Sequence, residues 1–136
     1  MSARHKARKL ALDFLFEGDL RKTDPIKLFI EREKSPISEF EYAKDLIEGV
    51  QSHLSKIDEL IISYAEGWDL DRMPTIDRNI LRIAIFEILW RPEVPDEVAI
   101  SQALELSDEN STAESAKYIN GVLSRILTLK PSLNLS

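Results

Sequence analysis

Apolar residues recur along this chain at intervals of three and four, the period of a helix with one buried face. Residues 3–20 place Ala7, Leu10, Ala11, Phe14 and Leu15 on one stripe, with Arg4, Arg8, Leu12 and Phe16 on a neighbouring line. Asp24-Pro25 has the form of an N-cap followed by proline at the first helical position, and predicts a second helix to about Glu33. Ser35-Pro36 ends it. Ser38 and Glu41 form a capping box for a third helix striped by Ala43, Leu46, Ile47 and Val50. A fourth carries Ile57, Leu60, Ile61, Tyr64 and Ala65; the pattern leaves open whether it continues the third across 52–55. The Gly67–Pro74 stretch, with Asp69 and Asp71, punctuates the chain. Residues 75–91 predict a fifth helix, apolar on nearly every side from Ile80 to Trp90 except at Arg82 and Glu87, and therefore central and buried. Pro92 and Pro95 end it and open a sixth, to about Leu106, with Val98, Ile100, Ala103 and Leu104 facing inward. Ser111 and Glu114 make a second capping box. The last helix carries Ile119, Val122, Leu123, Ile126 and Leu127 and frays before Pro131.

The expected fold is all-α: a bundle of about seven helices in one domain spanning 1–136, divided into subdomains 1–67 and 68–136 of three plus four helices. A length of 136 residues and 43% hydrophobic content allow a packed core of that kind. There is no cysteine, which removes disulfides and thiol chemistry and fits a reducing compartment. No apolar run approaches the ~20 residues that cross a bilayer, and Asp13 and Glu17 interrupt the N-terminal apolar segment. No membrane association, no signal peptide and a cytoplasmic location are expected.

Chemistry is hard to find. The four glycines (Gly18, Gly49, Gly67, Gly121) belong to no phosphate-binding pattern. His5 and His53 lack the spacing of a zinc site, so no metal is expected. Ser52 and His53 diverge by about 100° on a helix, the wrong geometry for a nucleophile and its base. The many acid pairs, such as Glu31 with Glu33 and Asp69 with Asp71, arise by chance among 24 acids. The chain reads as a binding protein, without enzyme activity or cofactor.

Charge gives the binding reading a direction. The formal net charge is −6, yet residues 1–9 contribute +4 through Arg4, Lys6, Arg8 and Lys9, so residues 10–136 carry −10. A basic tip on an acidic body attracts a polyanion to one end and repels it elsewhere.

Three stretches then resemble a known family. They are Arg4-His5-Lys6-Ala7-Arg8 with the Leu10–Phe16 stripe; Pro74–Glu87, reading PTIDRNILRIAIFE; and Val94–Leu106 continued by Glu114–Leu123, reading ESAKYINGVL. Their order and spacing, from Arg4 to about Leu127, resemble the NusB family of bacterial transcription antitermination factors. The same fold also serves as the N-terminal domain of certain ribosomal-RNA cytosine methyltransferases; no catalytic domain follows in this sequence, so the stand-alone factor is the expectation.

The resemblance implies pairing with the small-subunit ribosomal protein NusE. It also implies binding to single-stranded boxA RNA in ribosomal RNA leader transcripts, and entry with other Nus factors into an RNA polymerase complex that resists termination. It assigns RNA binding to Arg4, His5, Lys6, Arg8 and Lys9, and to Lys117 and Tyr118. It assigns protein binding to Leu12, Phe16 and Asp77. Tyr118 can stack on a base or pack in the core, and Lys117 can meet a phosphate or only solvent. Four engaged cations give a salt slope near about −3 on single-stranded RNA. The acidic segment Ser107-Asp108-Glu109-Asn110 reads as a loop that repels phosphate, which predicts weak RNA binding without the protein partner. The alternative is a helical protein–protein adaptor of the same fold with little RNA affinity. Monomer and homodimer both stay open.

Overall fold

The computed structural model describes residues 2–34 and 37–133, and among them the chain is helical with no strand. Seven α-helices follow in order: α1 (Ala3–Arg21), α2 (Pro25–Arg32), α3 (Ile37–Ser52), α4 (Leu54–Tyr64), α5 (Thr75–Trp90), α6 (Asp96–Asn110) and α7 (Ala113–Leu129), closed by a 3-10 turn at Lys130–Ser132; four precede residue 67 and three follow it, where three plus four were expected, because α3 and α4 are separate helices. Helices α3 and α4 are separate, and His53 sits at the joint with its ring stacked on Trp90, centroids 4.0 Å apart.

The helix ends follow local chemistry. The Ser2 side chain accepts from the His5 backbone N–H and caps α1, and the Asp24 carboxylate accepts from Ile26 N–H ahead of Pro25. The other two caps differ from expectation. Ser38 lies inside α3, which already starts at Ile37, and Ser35-Pro36 lie outside the described residues. Thr112, not Ser111, caps α7 by accepting from Ser115 N–H. Ser111 is engaged elsewhere, as described below.

Helix α5 is the hub, packing against α1, α3, α4, α6 and α7. Its residues from Asn79 to Leu89 are all buried, as a helix apolar on all sides requires. Arg82 and Glu87, the two charges in that helix, are each paired. Arg82 donates to Asp19 and Asp58, and Glu87 accepts from Arg8 and Tyr42. On α6 the buried stripe is Ala99, Ala103, Leu106 and Ser107. Val98 is exposed, and Ile100 and Leu104 are half-buried, so the expected inward face was rotated. Its short apolar residues occur on two faces, and only contact with α5 and α7 selects between them.

Close helix approach occurs at Gly49, where an added Cβ would lie 2.0 Å from Cζ of Phe86. Gly121 has nothing within 4 Å of that position, so its absent side chain serves no packing contact.

Candidate nucleic-acid and partner interface

The basic N-terminus forms about the first two turns of α1, and helical geometry sorts its charges by direction. Arg4 and Lys6 are exposed. The Arg4 guanidinium lies 4.2 Å above the Tyr42 ring, a cation–π contact that fixes the side chain and leaves its charge available. Lys6 has no ion-pair partner among the described residues. Lys9 is half-exposed and holds Asp13 at 2.6 Å, one helical turn on.

His5 and Arg8 face inward. Arg8 is 3% exposed; its Nε and Nη2 donate to the two oxygens of Glu87 at 2.9 and 3.0 Å. Tyr42 donates to the same carboxylate from α3. Burial opposes the Arg8 charge, but the bonds and charge of Glu87 prevail and hold its pKa above the ordinary value. Burial and the Glu87 charge likewise push the Tyr42 hydroxyl up. Arg8 is thus the counter-ion of a charge inside α5, out of reach of a phosphate. His5 is 2% exposed, with Nδ1 2.6 Å from Gln102 Oε1 and Nε2 2.8 Å from Glu109 Oε1. Of the five N-terminal residues expected to meet RNA, three keep their charge at the surface. Glu87, set with Arg82 in an otherwise apolar helix, was the available signal for buried charge pairing.

The expected partner contacts are sorted in the same way. Leu12 is fully buried core. Asp77 is also fully buried, accepting from Ser111 Oγ and Ser115 Oγ at 2.7 Å each. Its carboxylate ties the start of α5 to the start of α7, so neither Leu12 nor Asp77 presents itself to a partner. Phe16 is half-buried, and Leu20 one turn later is 61% exposed. The accessible apolar face of α1 therefore lies toward its C-terminal end.

Lys117 is exposed, and Tyr118 is half-buried. The Tyr118 ring stacks on Trp68, with centroids 4.5 Å apart and planes 27° from parallel. Burial pushes its hydroxyl pKa up. Trp68 escaped the sequence reading because it lies in the Gly67–Pro74 segment, which no helical period covers. The 107–110 segment is the last turn of α6 and not a loop. Ser107 is buried, and Glu109 turns its carboxylate toward His5. A cavity of about 560 Å³ follows, lined by Trp68, Pro74, Asn110, Ser111, Thr112, Glu114 and Ser115. The arrangement offers two exposed cations on α1, a third on α7, an aromatic pair and an apolar helix face.

An all-helical binding scaffold is the class these features define. The profile of the NusB family matches residues 5–128. The transcription antitermination protein NusB of Salinispora arenicola is 52% identical over 93% of this chain and 96% of its own length. That of Thermobifida fusca is 47% identical over 98% of this chain and 94% of its own. Among solved structures, Thermotoga maritima NusB superposes with a TM-score of 0.86 at 33% identity, covering 98% of this chain and 99% of that one. A crystal structure of the antitermination factors NusB and NusE in complex with dsRNA matches with a TM-score of 0.83 at 28% identity, covering 94% and 98%. The chain belongs to the NusB family, whose named relatives are transcription antitermination factors and not enzymes.

Proposed function

We propose that this chain binds boxA-like single-stranded RNA of ribosomal RNA leader transcripts together with NusE, in the cytoplasm, as part of an RNA polymerase complex with other Nus factors that resists termination. The observation that carries this reading is the concentration of exposed positive charge at the start of α1 on a protein whose remainder is acidic. The solved NusB–NusE–dsRNA complex supports both partners by relationship. Arg4 and Lys6 neutralise phosphates, Lys9 joins when it leaves Asp13, and Lys117 contributes from α7. Tyr118, backed by Trp68, offers an aromatic face to a base, worth roughly 1–3 kcal/mol per stacked base. Phe16 and Leu20 form the apolar face for the protein partner.

Burial of Arg8 and His5 reduces the electrostatic reach of the tip. Two firmly available cations give a salt slope of about −1.4, by the ~0.7-per-contact rule, and Lys9 and Lys117 raise it toward about −3. RNA affinity alone is modest, and the partner supplies the rest. The same burial favours the adaptor reading as the one alternative.

Binding of a boxA-like RNA and a scrambled control, with and without NusE, across a salt series tests the proposal. Preference for the boxA-like RNA, strengthened by NusE, is expected. Equal binding of both RNAs overturns specific recognition, and absence of binding under every condition leaves the adaptor.

A further inference from the structure

We propose that His5, Glu105 and Glu109 form a binding site for one divalent transition-metal ion of the zinc class, bridging the start of α1 to the end of α6. The three ligand atoms, from residues about 100 positions apart, lie within 4.8 Å of one another. Glu105 and Glu109 are one turn apart on α6, which aims both carboxylates at the same imidazole.

The hydrogen-bonding around His5 fixes which nitrogen faces them. Nδ1 is 2.6 Å from Gln102 Oε1. That amide cannot be turned over. Its oxygen also accepts from Arg8 Nη1 at 3.4 Å, and its nitrogen donates to Glu105 Oε2 at 3.2 Å. A flipped amide would set donor against guanidinium and acceptor against carboxylate. Nδ1 therefore carries the proton it donates to Gln102, and Nε2 faces Glu109 Oε1 at 2.8 Å and Glu105 Oε1 at 3.7 Å. His5 is 2% exposed, and a buried ring nitrogen facing two carboxylates is satisfied by a cation between them, a proton or a metal ion. A histidine oriented through its other N–H by a carbonyl oxygen is the usual arrangement of a metal ligand.

Size and charge agree. Bonds of about 2.0–2.1 Å in tetrahedral geometry set donors about 3.3 Å apart. The 2.8 and 3.7 Å separations reach that value by small movements of two glutamates whose side chains are 37% and 48% exposed. Two carboxylates balance a 2+ ion, and the imidazole selects zinc, nickel or copper over magnesium. The exposed side leaves a fourth position for water.

The test uses the intact chain stripped with chelator, titrated with Zn²⁺ by calorimetry and with Co²⁺ by visible absorption. One ion per chain is expected, with Co²⁺ bands of tetrahedral form. Glu109→Gln and Glu105→Gln, both on exposed side chains, should abolish saturable binding while circular dichroism stays that of the parent. Gln102→Leu should weaken binding about 10–100-fold. His53→Gln, which removes the only other histidine, should leave it unchanged. Binding that survives Glu109→Gln overturns the proposal. So does a His5 ring that nitrogen NMR shows protonated at both positions and unmoved by Zn²⁺, since a proton would then be the only cation the cluster holds.

Discussion

Replacing Arg8 by methionine removes a charge from the interior while keeping much of the side chain's length. Glu87, 1% exposed, then remains as a buried carboxylate whose one other donor among the described residues is the Tyr42 hydroxyl. Breaking a buried pair in this way costs about 3–5 kcal/mol. Set against the ~5–15 kcal/mol total of a typical domain, that is a large fraction. The double variant Arg8→Met/Glu87→Leu removes both charges together, and apolar replacement of a whole buried pair is often neutral or stabilising. It orphans the Tyr42 hydroxyl, at about 1–3 kcal/mol. The double variant is therefore expected to recover about 2 kcal/mol of the single variant's loss, the difference between the midpoints of the two ranges. Urea unfolding followed by circular dichroism measures all three free energies, with an unchanged denaturant slope as the check on two-state behaviour. A single variant within about 1 kcal/mol of the parent would falsify the buried-pair reasoning, as would a double variant no more stable than the single. The double variant also separates structure from RNA binding. It should keep the parent's salt slope, because Arg8 reaches no phosphate, whereas Lys6→Ala should flatten that slope by about 0.7.

Gly49→Ala should destabilise the fold by about 1–3 kcal/mol in thermal or urea melts, since Phe86 occupies the place of the new methyl. Gly121→Ala should instead stabilise it by roughly 0.5–1 kcal/mol, because its position is open and helical. Burial pushes the Asp19 carboxyl up, but hydrogen bonds from Arg78 and Asn79 and the Arg82 charge hold it below the ordinary carboxylate value. The unfolded chain thus binds the proton more tightly, so stability is present above about pH 4 and is lost as pH falls through the folded value. Asp19→Asn should be less stable at neutral pH and show a shallower acid decline; an unchanged acid limb would refute the assignment. If bases stack on the Trp68–Tyr118 pair, RNA should change Trp68 fluorescence in a Trp90→Phe background and fail to do so once Tyr118 is alanine.

The period of apolar residues was enough to place the helical stretches other than α2, though not the break between α3 and α4, because a buried helical face repeats every three to four residues whatever it packs against. The same local logic found the Asp24-Pro25 start and the centrality of α5. Where it erred, the missing information lay in a neighbour. The face of α6 was ambiguous until α5 and α7 covered one side of it. Thr112 caps α7 because Ser111 is claimed by Asp77, 34 positions earlier. Of the proposed site, Arg4, Lys6 and Lys117 are exposed and Tyr118 is half-buried, while Arg8, Leu12 and Asp77 are interior. Trp68, in a segment without period, gave no signal.

Sequence alone determined that this is an all-helical chain with a positive tip, and residue identity carried the family resemblance. Helix propensity, capping and charge are properties of short stretches, so they can be read without knowing the fold. Which cations remain in water was decided only by tertiary structure. Arg4 and Arg8 are one helical turn apart and chemically the same. One rests on a tyrosine at the surface, and the other is enclosed because Glu87 of a distant helix needs a counter-charge. The meeting of His5 with Glu105 and Glu109 is of the same kind. Long-range packing brings those three groups together, and no spacing along the chain encodes it.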